Sequence, residues 1–130
     1  MEPAQIEIVR VLDAFCDAIA RRDVGAVLDL FLPRDDVMVV TSEDATLRDR
    51  NELEDFLERY AHSWTTYSWE WERWVVAVED DVAWLLADGV ETATTPSGGV
   101  RAPYRMTLLC LHRDGRWRIA QAHGSSPHHP

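Results

Sequence analysis

Cysteine is nearly absent from this chain: Cys16 and Cys110 are the only two in 130 residues, with no CxxC spacing and no clustered partner. That argues against a disulfide framework or a thiolate metal centre and leaves two buried thiols, one on a helix and one on a strand. Basic residues are also few, 13 against 23 acidic, for a formal net charge of -10. Such a field repels polyanions, so nucleic acid and anionic membrane surfaces are set aside as partners. No apolar run reaches the length of a bilayer span, and the opening MEPAQIEIVR carries an early acid where a signal segment would be apolar, so a cytoplasmic location is expected. GxGxxG, a P-loop and a nucleophile elbow are missing too, which removes dinucleotide, nucleotide and serine-hydrolase readings. His112, His128 and His129 offer no metal-ligand spacing on a rigid element, so neither metal nor cofactor is expected.

What is present is apolar sequence sufficient for one core, patterned in two ways. Pro3 suits a first helical turn, and Ile6, Val9, Leu12, Phe15, Cys16 and Ile19 recur at spacings of three and four, which predicts an amphipathic helix. Asp23 can cap a second, short helix whose buried side is Val24, Val27, Leu28 and Phe31, with Pro33 helping to end it. Residues 36–41 read as a short strand. Asp49 then caps a third helix over 50–64, with Glu52 completing a capping-box variant and Leu53, Phe56, Leu57, Tyr60, Ala61 and Trp64 facing inward.

From there the period changes to two. Residues 69–79, 82–95, 100–112 and 116–123 read as four strands joined by the turn signals Glu79-Asp80-Asp81, Pro96-Ser97-Gly98-Gly99 and Asp114-Gly115. The expected class is therefore α+β, in the order α-α-β-α-β-β-β-β. Three N-terminal helices pack on the concave face of a curved, mostly antiparallel sheet, in one domain over 1–127 with a tail at 128–130.

The end of the chain carries a pattern: Arg105-x-Thr107, then Arg113-Asp114-Gly115-x-Trp117-Arg118-Ile119, then His123-Gly124-Ser125-x-Pro127. It resembles the SnoaL-like branch of the nuclear transport factor 2-like superfamily, and the association domain of calcium/calmodulin-dependent protein kinase II has a similar ending. The resemblance implies a cone in which sheet and helices enclose a pocket while the convex face packs against a second subunit. It does not select a reaction, because isomerases, cyclases, hydrolases, dehydratases and pure binding domains share the fold. Matching the chain to the ketosteroid isomerases puts Phe15 where they have an oxyanion-hole tyrosine, Val40 or Thr41 at the general base, and Thr107 at the protonated aspartate. A chain without those carboxylates is not expected to use that mechanism. The Arg and paired Asp arrangement of the epoxide hydrolases of this fold is not found either.

Strand alternation then gives a candidate site. If Thr107 faces the cavity, as its match implies, so do Arg105 and Leu109, while Tyr104, Met106, Leu108 and Cys110 point to the convex side. Centring the turns on Ser97-Gly98 and Asp80-Asp81 sets Asp88 opposite Thr107, Val90 opposite Arg105, Arg73 opposite Asp88 and Trp71 opposite Val90. The cavity side would carry Trp69, Trp71, Arg73, Trp84, Leu86, Asp88, Arg105 and Thr107, with Tyr60 as a further wall. On this reading Arg105 and Arg73 hold an oxyanion, Asp88 positions them, and the tryptophans stack on an apolar, oxygen-bearing small molecule undergoing isomerisation, cyclisation or dehydration. The same cluster also reads as a salt-bridge network that binds nothing. His123 is the remaining acid or base candidate, although its alternation with Ala120, Ala122 and Gly124 sets it on the convex face or the sheet rim. His62 lies nearer the expected pocket mouth, where a helix end also suits it. Convex residues Trp74, Val76, Val78, Tyr104, Met106, Leu108 and Cys110 would form an apolar patch, which predicts a homodimer through sheet faces. The alternative is a non-catalytic dimerisation or ligand-sensing module.

Overall fold

The computed structural model describes residues 1–42 and 45–127; the tail with His128 and His129 lies outside the described residues. Pro3 opens helix α1 (Pro3–Ala20), and Glu2 and Gln5 close a capping box in which Gln5 Oε1 accepts from the Glu2 amide at 2.9 Å. Its stripe of Ile8, Leu12, Phe15 and Ala18 is buried. Arg22 follows at φ 59°, a left-handed conformation that reverses the chain. Asp23 then starts α2 (Val24–Leu30) by accepting from the Ala26 amide at 3.0 Å. Asp49 starts α3 (Arg50–Ala61) in the same way, accepting from the Glu52 amide at 2.8 Å, while the Glu52 carboxylate takes the Arg48 amide.

The third helix stops at Ala61, short of the predicted end, and Trp64, expected to face inward, is 82% exposed. Arg22 supplies the reason. Its guanidinium donates to the carbonyls of Tyr60 (3.5 Å), Ala61 (3.3 Å), Ser63 and Thr65 (3.0 Å), and to Thr66 Oγ1 (2.6 Å). Carbonyls that would otherwise be left open at a helix C-terminus are thereby satisfied. The chain beyond is pinned into the sheet, and Trp64 is turned out.

Strands β1 (Met38–Val40), β2 (Thr46–Leu47), β3 (Thr66–Glu79), β4 (Val82–Thr95), β5 (Gly98–Arg113) and β6 (Arg116–Ser125) form one sheet in the order β2-β1-β6-β5-β4-β3. The element order is α-α-β-β-α-β-β-β-β, an α+β cone with one more strand than the sequence shows, since β2 is only two residues long. The sheet is mixed, because β1 runs parallel to β6 with Val39 opposite Ala122. Two bulges curve it: Glu72 is the extra residue on β3 and Ala120 the extra residue on β6. Gly89 faces the first. A Cβ there would lie 2.0 Å from the Glu70 carbonyl oxygen, so a side chain at this position would force the strands apart. Among the described residues no helix is long and apolar enough to cross a membrane.

The facing of the central strands is the reverse of the sequence expectation. Tyr104, Met106, Leu108 and Cys110 of β5 are buried beneath the helices, together with Ala83, Leu85 and Ala87 of β4. Arg105 and Thr107, with Trp84 and Leu86, are exposed on the outer face. The expectation had been anchored on Thr107 by a match that is one residue out of phase. Burial decides the matter: each large apolar side chain removed from water stabilises by about 1.5–3 kcal/mol, whereas an inward Arg105 would have to be desolvated. The predicted convex patch is corrected accordingly: Val76 and Val78 pack against the core rather than outward, and Trp74, 41% exposed, lies on β3 at the sheet edge.

Candidate functional site

Beneath the helices, the concave sheet face leaves a cavity of about 80 Å³. Helices supply Phe15, Ile19, Phe56, Leu57 and Tyr60; strands supply Val39, Tyr67, Trp69, Tyr104 and Met106. All three tyrosines of the chain line it. So does one carboxylate, Glu91, at 9% exposure the only charged side chain in the buried set of the described residues. Among the described residues, no Lys, Arg or His is in the wall.

Glu91 reaches this position through strand pairing. It lies directly opposite Trp69 on β3, and the Trp69 indole N–H donates to its Oε2 at 2.9 Å. Tyr104 stands two residues along β5 from Ala102, the cross-strand partner of Glu91, with its ring 6.0 Å from that of Trp69. The Tyr104 hydroxyl crosses over Gly124, where a Cβ would lie only 2.0 Å from it. Trp69 is one of the contacts that hold Glu91. A hydrogen bond to a charged group contributes about 1.5–3 kcal/mol, against several kcal/mol for taking a carboxylate out of water. A buried acid on a cavity wall is a candidate functional group.

The remaining wall is built to stay still. Tyr60 Oη donates to the Ile19 carbonyl at 2.8 Å and accepts from the Tyr67 amide at 3.1 Å, and burial holds its pKa above the usual value. Its ring stacks on that of Tyr67 at 5.8 Å. Trp71 lies flat on Trp69, centroids 6.4 Å apart, but does not line the cavity. Its indole N–H falls short of hydrogen-bond geometry, yet it faces the Cys16 thiol closely enough to offset slightly the burial that pushes that thiol up to about 12. Burial pushes Cys110 up to about 12 as well. Neither cysteine is a thiolate nucleophile at neutral pH.

The residues singled out from sequence divide between the two faces. Tyr60 and Trp69 line the cavity and Trp71 backs it. Arg73, Trp84, Asp88, Arg105 and Thr107, expected inside, stand on the outer face. Asp88 does lie between Arg73 and Arg105 in register, and Arg73 Nε meets Asp88 Oδ2 at 3.3 Å, but the two side chains are 79% and 33% exposed. Solvent screens such a pair to at most about 1 kcal/mol. His123 is exposed beside Thr107 and Val40, and exposed His62 bonds through Nδ1 to the Glu58 carbonyl oxygen at 2.8 Å. No group of three His, Cys, Asp or Glu side chains suited to a metal occurs among the described residues. Glu91 was missed because the reversed facing assigned its alternation partners to the outer surface; once Tyr104 and Leu85 are inside, an acid two residues on from Gly89 is conspicuous.

A curved sheet closed on one face by three helices over an apolar, partly open cavity defines an α+β cone protein. The chain belongs to the SnoaL-like domain family, whose model matches residues 8–129. Among solved structures it is similar to a candidate dehydratase of the NTF2-like family from Streptomyces avermitilis, at 15% identity and a TM-score of 0.88 over 98% of this chain and 100% of that one. A candidate aromatic ring hydroxylase from Novosphingobium aromaticivorans aligns at 15% identity and a TM-score of 0.84 over 99% of this chain and 94% of that one. A candidate calcium/calmodulin-dependent protein kinase II association domain from Xanthomonas campestris aligns at 24% identity and a TM-score of 0.73 over 98% and 92%. These likenesses establish the fold. None of the curated proteins matches the chain.

Proposed function

We propose that the cavity beneath the helices binds a compact, largely apolar, oxygen-bearing small molecule, and that Glu91 is its acid–base group. The observation that carries this reading is Glu91, the one carboxyl group among the described residues of a largely apolar, aromatic wall. For a carbonyl compound, the enolate routes to isomerisation, cyclisation and dehydration share a first step, removal of a proton from the carbon beside the carbonyl. Glu91 would accept that proton: the C–H bond breaks, an O–H bond forms on the carboxylate, and the electron pair moves onto the carbonyl oxygen. The wall also carries the hydroxyls of Thr41, Tyr67 and Tyr104 toward which that oxygen could be directed, whereas the Tyr60 hydroxyl is committed to the Ile19 carbonyl. This differs from the ketosteroid isomerase arrangement, since Phe15, Val40 and Thr41 at the matched positions carry no carboxylate. Size limits the guest. A cavity of about 150 Å³ takes a benzene ring, so about 80 Å³ holds a smaller group, with any remainder directed to the mouth.

Butanone is a suitable probe. It is expected to raise Tm in proportion to its concentration, and the protein is expected to speed deuterium exchange at the carbon beside its carbonyl. Glu91→Gln should keep the Tm response and abolish the exchange; Val39→Phe, which extends the buried wall opposite Ala122 into the cavity, should abolish both. Absence of any Tm response, or one unchanged in Val39→Phe, contradicts the reading.

A second reading, a dimerisation or sensing module, is favoured by the outer face, where Val75, Trp84 and Leu86 are 65%, 47% and 41% exposed. Both readings are compatible with a homodimer through this face, which we propose with these residues in place of those expected from sequence.

A further inference from the structure

The sign of charge in the chamber narrows what can enter it. The sequence reading put two guanidiniums there to hold an oxyanion on an apolar guest; the structure puts both on the outer face. Among the described residues the wall instead carries one ionisable acid, Glu91, set among aromatic rings, and a cationic guest would favour its carboxylate form. Trp69 and Tyr104, tilted at 44° with centroids 6.0 Å apart, flank it, and Phe15, Phe56 and Tyr67 complete the aromatic lining. Tyr60 contributes less, because Arg22 already lies 5.5 Å from its ring centroid. An anion placed here would meet a like charge and the electron-rich faces of several rings. A neutral guest would gain only apolar contact and hydrogen bonds.

A small organic cation gains from every part of the wall. Ring faces attract a positive charge electrostatically, about 0.5–1 kcal/mol each where exposed and about 2 or more where water is excluded. A carboxylate beside them adds a Coulombic attraction that is strongest in a poorly hydrated site. The chain's net charge of -10 concentrates cations around the whole molecule. Volume agrees, since about 80 Å³ suits a group smaller than a benzene ring. A protonated secondary amine is of that size; a trimethylammonium head is about as bulky as a benzene ring and fits with part of it at the mouth.

Resting on the reading of the cavity as a small-molecule site, we infer that its preferred guest bears an ammonium group, seated against Trp69 and Tyr104 with Glu91 as counter-ion. The guest of the proposed function is thus a carbonyl compound that also bears an ammonium group, with the carbon to be deprotonated next to that group and within reach of Glu91, and its remaining atoms extend toward the mouth.

Choline and its neutral carbon isostere 3,3-dimethylbutan-1-ol have the same shape and differ in charge. Calorimetric titration of the full chain is expected to show choline binding at least about tenfold more tightly than the isostere, as one or two desolvated ring contacts imply. Glu91→Gln should shrink the ratio to about twofold or less, with the wild-type comparison standing whether or not the variant folds. Equal affinity of the two ligands, or no binding of choline, overturns the inference. Butanone separates the two failures: if it raises Tm while choline is not preferred, the cavity is a small-molecule site without cation selectivity; if butanone is silent as well, the site reading falls too.

Discussion

Cys16 and Cys110 show what the interior does to an ionisable side chain. Both thiols have pKa values raised from 9.0 to about 12, chiefly by burial. In the unfolded chain they ionise near the ordinary value, so the folded state binds protons more tightly. The stability this contributes is fully present below about pH 9 and is lost as pH rises toward about 12. Urea midpoints measured between pH 8 and pH 11 should therefore fall, and fall less steeply in Cys110→Ala, with native thiols reacting slowly with a disulfide reagent at the lower pH. Rapid labelling of Cys110 in the native protein would contradict its placement. Glu91 is the opposite case: a carboxylate in the same interior, kept in place by Trp69 and its other contacts, where an apolar residue would pack without desolvation cost.

Among the elements, the corner between α1 and α2 governs the chamber's far wall. Arg22 joins the end of α3 and the beginning of β3 through the carbonyls of residues 60, 61, 63 and 65 and the Thr66 hydroxyl. Arg22→Ala leaves those acceptors to water and the last turn of α3 without its clasp. A destabilisation of about 2–3 kcal/mol in urea unfolding is expected, with weaker butanone binding because Tyr60 and Tyr67 lose their anchor. A change below about 0.5 kcal/mol would show that the clasp is solvent-replaceable. The helices themselves were plain in the sequence, since Pro3, Asp23 and Asp49 mark their starts and the apolar spacing marks their faces. The end of α3 was not, because what stops it is an arginine distant in sequence.

Strand facing was legible and was misread. Tyr104, Met106, Leu108 and Cys110 form an unbroken apolar set, and simple alternation puts such a set in the core. A match at Thr107 overrode it. Arg73 was opposite Asp88 as predicted, but Asp88 pairs with Arg105 rather than Thr107, because the β4–β5 turn is centred one residue earlier than the sequence suggested. Since that shift moves partners by two, it left the ionic group together on one face. The bulge at Glu72 had no sequence signal, and it changes the parity of β3, so that Trp69 lies inside while Arg73 lies outside. Two errors thus cancelled at Trp69 and Trp71, which face inward, but not at Trp84, which stands on the outer face.

At the scale of the whole molecule, one face of the sheet is closed by helices and the other is open. Strands of about 14 residues at roughly 3.3 Å each, four abreast at about 4.8 Å, present an outer face of roughly 900 Å². A stable interface needs about 800 Å² from each partner, so a second copy of the chain fits the requirement. Light scattering should give a dimer mass at micromolar concentration and a monomer for Leu86→Asp; a wild-type monomer would leave the outer face without this role. Family membership fixes the cone and leaves its contents to each chain, and here they are an acid among aromatic rings.

Which side of the sheet receives the ligand is the point on which the account stands. Trp69 lies on the inner side and Trp84 on the outer, so their indole N–H signals in a nitrogen–proton correlation spectrum report the two faces separately. Titration with butanone should move the Trp69 signal and leave that of Trp84 in place. Movement of Trp84 with Trp69 unchanged would put the binding site on the outer face and contradict the account.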